Sequence, residues 1–134
     1  MVDKIKPEDV ALLMKSYVDA GHAQKAADKC DASYQFNLAE VKDGPIKYQF
    51  WVSLKKSAQS SGLGKMEKPD ATFTMTASDF FDVCMGKLNP QMAFIKKKMK
   101  ITGNFKKATV FTPELFPPPT PENFLKYSGG TIKL

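Results

Sequence analysis

The chain is 134 residues long, 43% hydrophobic and 25% charged, and it carries ten Phe, four Tyr and one Trp. That profile fits one globular domain with a real core and excludes a disordered chain. Its longest apolar run, Val10 to Met14, falls far short of the roughly 18 residues that a membrane-spanning helix needs. The first six residues hold no apolar stretch of the kind a secretory signal requires. Two cysteines, Cys30 and Cys84, cannot make a disulfide framework, so a soluble domain in a reducing, intracellular compartment is expected.

The net charge of +6 is unevenly spread, and every basic residue is Lys. Lys87, Lys96, Lys97, Lys98, Lys100, Lys106 and Lys107 fall between Asp82 and Glu114, where no acid stands. That stretch carries +7 and the remainder −1. Such a block attracts phosphates, anionic headgroups or nucleic acid. The lack of Arg argues against base readout, because Lys is a point charge that neutralises phosphate without discriminating sequence.

The first element reads as a helix, with Pro7 in its first turn, Glu8 and Asp9 complementing the dipole, and Gly21 as its stop. Val10, Leu13, Met14, Tyr17 and Val18 recur at helical spacing and form one buried stripe. A second short helix is expected from about His22 to Cys30. The period then changes to two. Tyr34, Phe36 and Leu38 alternate with polar neighbours, Asp43-Gly44-Pro45 is turn chemistry, and Ile46, Tyr48, Phe50, Val52 and Leu54 alternate behind it. These two runs predict an antiparallel hairpin. Trp51 falls on the opposite face, which is therefore also partly covered.

From Ser57 to Asp70 the chain is polar and reads as a loop, with one short strand placed near Gly64-Lys65-Met66. Ala71, Phe73 and Met75 alternate with threonines as a further strand. Ser78-Asp79 opens the next helix as a cap and Gly86 closes it, while Phe80, Phe81, Val83 and Cys84 supply its buried side. Asn89 caps another helix with Pro90 first. Met99 and Ile101 mark a last strand ending at Gly103, and Asn104 to Phe111 reads as helical. The order of elements predicts an α+β fold with helices packed on one sheet face. Pro117-Pro118-Pro119-Thr120-Pro121 then forms a stiff spacer.

Little in the chain supports covalent chemistry. The single histidine, His22, has no paired acid or nucleophile in view and reads as a surface residue. Cys30, Cys84 and His22 show no zinc-ligand spacing. Gly62-Leu63-Gly64-Lys65 lacks the spacing and the Ser/Thr of a phosphate loop. Cys84 reads as a small buried hydrophobe. No metal or cofactor is expected. Apolar residues do crowd the lysine block: Phe80, Phe81, Met85, Met92, Phe94, Ile95, Met99, Phe105 and Phe111. They make either plain core or the wall of a cavity whose Lys-rich rim suits an amphiphile with an anionic head.

Several stretches resemble the sterol carrier protein 2 family of non-specific lipid-transfer proteins. They are Asp70-Ala71-Thr72-Phe73-Thr74-Met75, Ser78-Asp79-Phe80, and Gly86-Lys87-Leu88-Asn89-Pro90-Gln91-Met92-Ala93-Phe94 followed by Met99-Lys100-Ile101-Thr102-Gly103-Asn104. Lys42-Asp43-Gly44-Pro45 and Ser53-Leu54-Lys55 are similar too, so the resemblance covers about residues 8 to 116. Thr112-Pro113-Glu114-Leu115-Phe116-Pro117 looks like the end of plant-type members.

The resemblance implies a five-stranded, mostly antiparallel sheet with helices on one face and an apolar tunnel between the layers. It implies a lipid-binding domain over 1–116, followed by a spacer and tail over 117–134. The implied activity is non-enzymatic binding of fatty acids, fatty acyl-CoA, sterols or phospholipids and their transfer between membranes. An accessory role, presenting acyl-CoA or sterol to peroxisomal β-oxidation enzymes, is the alternative. Candidate lipid contacts on the strands are Phe36, Phe50, Val52, Phe73, Met75, Met99 and Ile101. On the helices they are Phe81, Met85, Phe94, Ile95 and Phe105.

Lys87, Lys96, Lys97, Lys98 and Lys100 then become candidates for docking to an anionic membrane or headgroup. Nucleic acid is not an expected partner, since no nucleic-acid motif accompanies the charge. A monomer is expected. The end, Ile132-Lys133-Leu134, keeps the Lys-Leu of a peroxisomal Ser-Lys-Leu tripeptide but has a branched residue where a small one is usual, which makes a peroxisomal import receptor a candidate partner. Phe124, Leu125 and Tyr127 stand open to two readings, a lid over the tunnel mouth or part of a disordered tail.

Overall fold

The computed structural model describes residues 5–128. Helix α1 (Pro7–Asp19) begins where the Lys6 backbone N–H donates to the Asp9 carboxylate at 2.9 Å, and it buries Val10, Leu13, Met14 and Val18. Helix α2 (Gln24–Cys30) ends on Asp31, which adopts a left-handed conformation and accepts the Lys56 N–H at 3.0 Å. Strands β1 (Ala32–Ala39) and β2 (Ile46–Lys55) form the expected antiparallel hairpin, with Phe36 opposite Phe50.

Strand β3 (Ala58–Leu63) lies earlier than the strand expected near residue 64. Its sequence, Ala-Gln-Ser-Ser-Gly-Leu, carries no apolar alternation, and it is a strand because β2 offers it a free edge. Gly62 is required there, because a Cβ would stand 2.8 Å from the Trp51 ring laid across it.

Strand β4 (Ala71–Thr76) runs directly into α3 (Ala77–Cys84). The cap is Thr76, whose hydroxyl accepts the Asp79 N–H at 3.0 Å, and not Ser78 as the sequence pattern implied. Helix α4 (Pro90–Ile95) is capped as expected by Asn89, whose side-chain oxygen accepts from Gln91 and Met92. After β5 (Met99–Gly103), Asn104 caps α5 (Phe105–Thr109). A 3-10 turn at Pro113–Leu115 and α6 (Pro121–Ser128) follow.

The sheet order is β3-β2-β1-β4-β5, antiparallel throughout except for the parallel β1–β4 pair. Register places Phe50, Phe36, Phe73 and Ile101 in one row across the inner face and Tyr48, Leu38, Met75 and Met99 in the next. Helix α1 covers β2 and β3, α2 covers β2, α3 packs on β4, α4 on β5, and α5 on both β4 and β5. The result is the α+β architecture expected, with a five-stranded, mostly antiparallel sheet.

The opposite face is covered at its centre. Ser33 and Gln35 of β1 are buried. The Gln35 side chain donates to the Gly64 carbonyl at 3.1 Å and accepts the Met66 N–H at 2.9 Å, so its amide is satisfied by the chain that crosses it. Asp70 fastens the start of β4 to β1 by accepting from the Ser33 N–H at 2.7 Å, and it pairs with Lys55 at 3.0 Å. Partial burial acts upward on the Asp70 carboxyl, but the Ser33 donors and the Lys55 ammonium outweigh it and hold the group below the usual carboxylate range.

Helix α6 folds back on α1, where Phe124 is buried with Leu13 and Tyr127 meets Tyr17 edge-on at 5.0 Å. Part of the stretch read as spacer and tail is therefore packed structure. Leu125 stays exposed, and neither Phe124 nor Tyr127 lines the cavity described below.

Candidate functional site

The helices do not fill the space over the β1-β4-β5 half of the sheet. A cavity of about 550 Å³ lies there, within the range of small-ligand sites. Its floor is Phe36, Phe73, Met75, Met99 and Ile101. Alternation along three strands aims these side chains the same way, and β4 sits between β1 and β5 to bring them together. Phe36 is stacked on Phe50 at 4.8 Å on one side and on Phe73 at 5.3 Å on the other.

The roof comes from Phe80, Val83 and Cys84 of α3, from Phe94 and Ile95 of α4, and from Phe105, Ala108 and Thr109 of α5. Met14 of α1 and the segment bearing Phe111, Thr112, Glu114 and Phe116 close one end. Phe94 and Phe105 meet at 5.3 Å. Along with Ile95 they line the cavity while remaining exposed, and they therefore mark its mouth.

Eight of the twelve candidates read from the sequence thus stand in the wall: Phe36, Phe73, Met75, Phe94, Ile95, Met99, Ile101 and Phe105. The other four do not. Phe50 is screened by Phe36 and by Phe80, whose ring stands 5.4 Å away, and Val52 is buried on the strand that α1 and α2 cover. Phe81 faces a second, smaller space with Ile5 and with Pro7 and Val10 of α1. Met85 caps the end of α3 outside the lining. The sequence reading took Phe81 where the wall uses Phe80, a one-residue error that turns a helical side chain by about 100°. The i, i+3, i+4 set Phe80, Val83, Cys84 carried the correct signal. Phe111 was in the apolar crowd, but Met14, Thr112, Glu114 and Phe116 reach the wall through tertiary packing alone.

The wall is mostly apolar. Burial pushes the Cys84 thiol up to about 12, so it stays protonated, and burial raises the Cys30 thiol as well. Among the lining residues the one charged side chain is Glu114, and the polar ones are Asn89, Gln91, Thr109 and Thr112. The rim of lysines expected around the pocket is thus not part of its wall. Lys96, Lys97 and Lys98 are instead exposed in the turn that follows Ile95, and Lys87 is exposed before α4. Lys100 pairs with Asp43 at 3.1 Å. His22 lies outside the lining, against the Tyr17 and Tyr127 rings. Among the described residues no group of three or more His, Cys, Asp or Glu side chains could hold a metal ion. No helix among them is long and apolar enough to cross a membrane. The terminal Ile132-Lys133-Leu134 lies outside the described residues.

Comparison with known proteins gives the same fold and sequence pattern. The model of the SCP-2 sterol transfer family matches residues 11–115. Sterol carrier protein 2 of Arabidopsis thaliana is 37% identical over 117 residues, which cover 87% of this chain and 95% of that protein. Peroxisomal multifunctional enzyme A of Dictyostelium discoideum is 40% identical over 73 residues, 54% of this chain but 17% of the far longer enzyme. Among solved structures, apo sterol carrier protein 2 of Yarrowia lipolytica superposes with a TM-score of 0.65 at 24% identity, covering 77% of this chain and 83% of that one. With the family model spanning both the cavity floor and its roof, the chain belongs to the SCP-2 sterol transfer family.

Proposed function

We propose that the protein binds one amphiphilic lipid in this cavity and carries it between membranes, with no bond made or broken. The observation that carries the reading is the unfilled apolar space of about 550 Å³ between sheet and helices, in a chain of this family. Fatty acids, fatty acyl-CoA, sterols and phospholipids are the ligand classes. Removing a sixteen-carbon chain from water at about 0.8 kcal/mol per methylene gives a gross gain of about 12 kcal/mol to set against the cost of association. A protonated Cys84 and a His22 outside the lining support carriage over catalysis.

The exposed Lys87, Lys96, Lys97 and Lys98 are the docking charges for an anionic membrane, with Lys100 engaged by Asp43. The protein acts as a monomer, in the peroxisome, reached through an import receptor that reads Ile132-Lys133-Leu134. A second reading, presentation of acyl-CoA or sterol to peroxisomal β-oxidation enzymes, is favoured by the match to part of the Dictyostelium peroxisomal enzyme. The test is mass spectrometry of the purified protein followed by displacement of a fluorescent fatty acid. A lipid should co-purify, and one equivalent of probe should bind at micromolar levels or tighter and be displaced by unlabelled lipid. Absence of both would reject the carrier reading, and turnover of acyl-CoA by the purified protein would favour an enzyme.

A further inference from the structure

Among the described residues, four large apolar side chains gather in solvent at the mouth of the cavity. Ile95 is 69% exposed, Phe105 50%, Met92 44% and Phe94 39%, and all four belong to α4 and α5. Of the other exposed large apolar residues, Ile46, Leu63 and Leu125 belong to β2, β3 and α6, and Val41 to the turn between β1 and β2. Lys96, Lys97 and Lys98 follow Ile95 directly, Lys97 with a left-handed backbone (φ +63°), and Lys106 follows Phe105. Among the described residues none of these four lysines forms an ion pair. Apolar side chains ringed by unpaired ammonium groups match the layering of an anionic bilayer surface, where phosphates lie just above acyl chains.

We propose that the protein seats mouth-down on anionic bilayers, with Met92, Ile95 and Phe105 at the headgroup–acyl boundary and the lysines on the phosphates. This rests on the carrier reading and adds an orientation to it. A lipid leaving between Phe94, Ile95 and Phe105 then enters the bilayer without crossing water.

Met92 allows a clean test because it does not line the cavity. The full chain is sedimented with phosphatidylcholine vesicles, with and without phosphatidylserine, and fatty-acid binding is measured separately without vesicles. Met92→Glu should weaken vesicle binding about tenfold while leaving fatty-acid affinity within about twofold. Leu125→Glu, at a more exposed position on α6, should change neither. Binding to phosphatidylserine vesicles should fall as salt rises. Unchanged vesicle binding in Met92→Glu, or an equal loss in Leu125→Glu, would overturn the orientation. So would wild-type protein that ignores both vesicle types, which would leave the patch to a protein partner. Loss of fatty-acid binding in the wild type would instead remove the carrier reading itself.

Discussion

Phe94→Glu is expected to abolish one-to-one binding of a fluorescent fatty acid while leaving thermal stability almost unchanged. Phe94 sits at the mouth, 5.3 Å from Phe105 and 39% exposed, so little of the fold depends on it. A ligand chain passing it would exchange an aromatic wall for a carboxylate that resists losing its water. The lost contact and the desolvation together come to about 3 kcal/mol, more than a hundredfold in affinity. Probe displacement in solution, without vesicles, separates this from any effect on docking. A Phe94→Glu protein that melts like the parent and still binds the probe tightly would place the ligand elsewhere.

Gly103→Ala should be the most damaging small substitution outside the aromatic core. Gly103 closes β5 at φ +89°, and a Cβ there would stand 2.5 Å from the Asp70 carbonyl oxygen and 3.2 Å from the Ala71 Cα. Both neighbours are backbone, and Asp70 is itself fixed by Ser33 and by the Asn104 N–H, which donates to the same carbonyl at 2.7 Å. Neither can yield. Conformational strain and steric overlap together should cost about 3 kcal/mol, lowering the melting temperature by roughly ten degrees. Gly64→Ala is the control: its φ is nearly the same, +88°, but a Cβ would meet nothing within 4 Å. It should lose only about 1 kcal/mol. Equal losses at both positions would show that the approach of β5 to Asp70 contributes nothing.

The parts of this fold legible in the sequence are those where one local pattern decides the outcome. The α1 stripe, the β1–β2 hairpin, the Thr-alternating β4 and the Asn89-Pro90 cap all depend on neighbours a few residues away. Strand β3 was misplaced because Ala58–Leu63 has no strand pattern of its own and borrows its conformation from β2. The floor of the cavity was read well because strand alternation has only two outcomes. The roof was read less well, since a helix offers several faces and Phe80 and Phe81 are both apolar. Phe50 and Val52 were assigned to the wall by correct alternation, but what decided against them was which helix lies overhead, and periodicity carries no information on that. The lysine block was visible as charge. Its separation from the cavity wall, and the pairing of Lys100 with Asp43, became apparent only in three dimensions.

Pro121–Ser128 lies beyond residue 115, where the match to the family model ends, yet its Phe124 is seated against Leu13 beneath the first helix. Recombinant versions trimmed to the shared core would expose that socket, with Leu12 and Leu13 at its edge, to the buffer. Such a fragment is a stickier object than the 134-residue chain, and self-association in concentrated samples would follow from the trimming, not from anything the lipid site does.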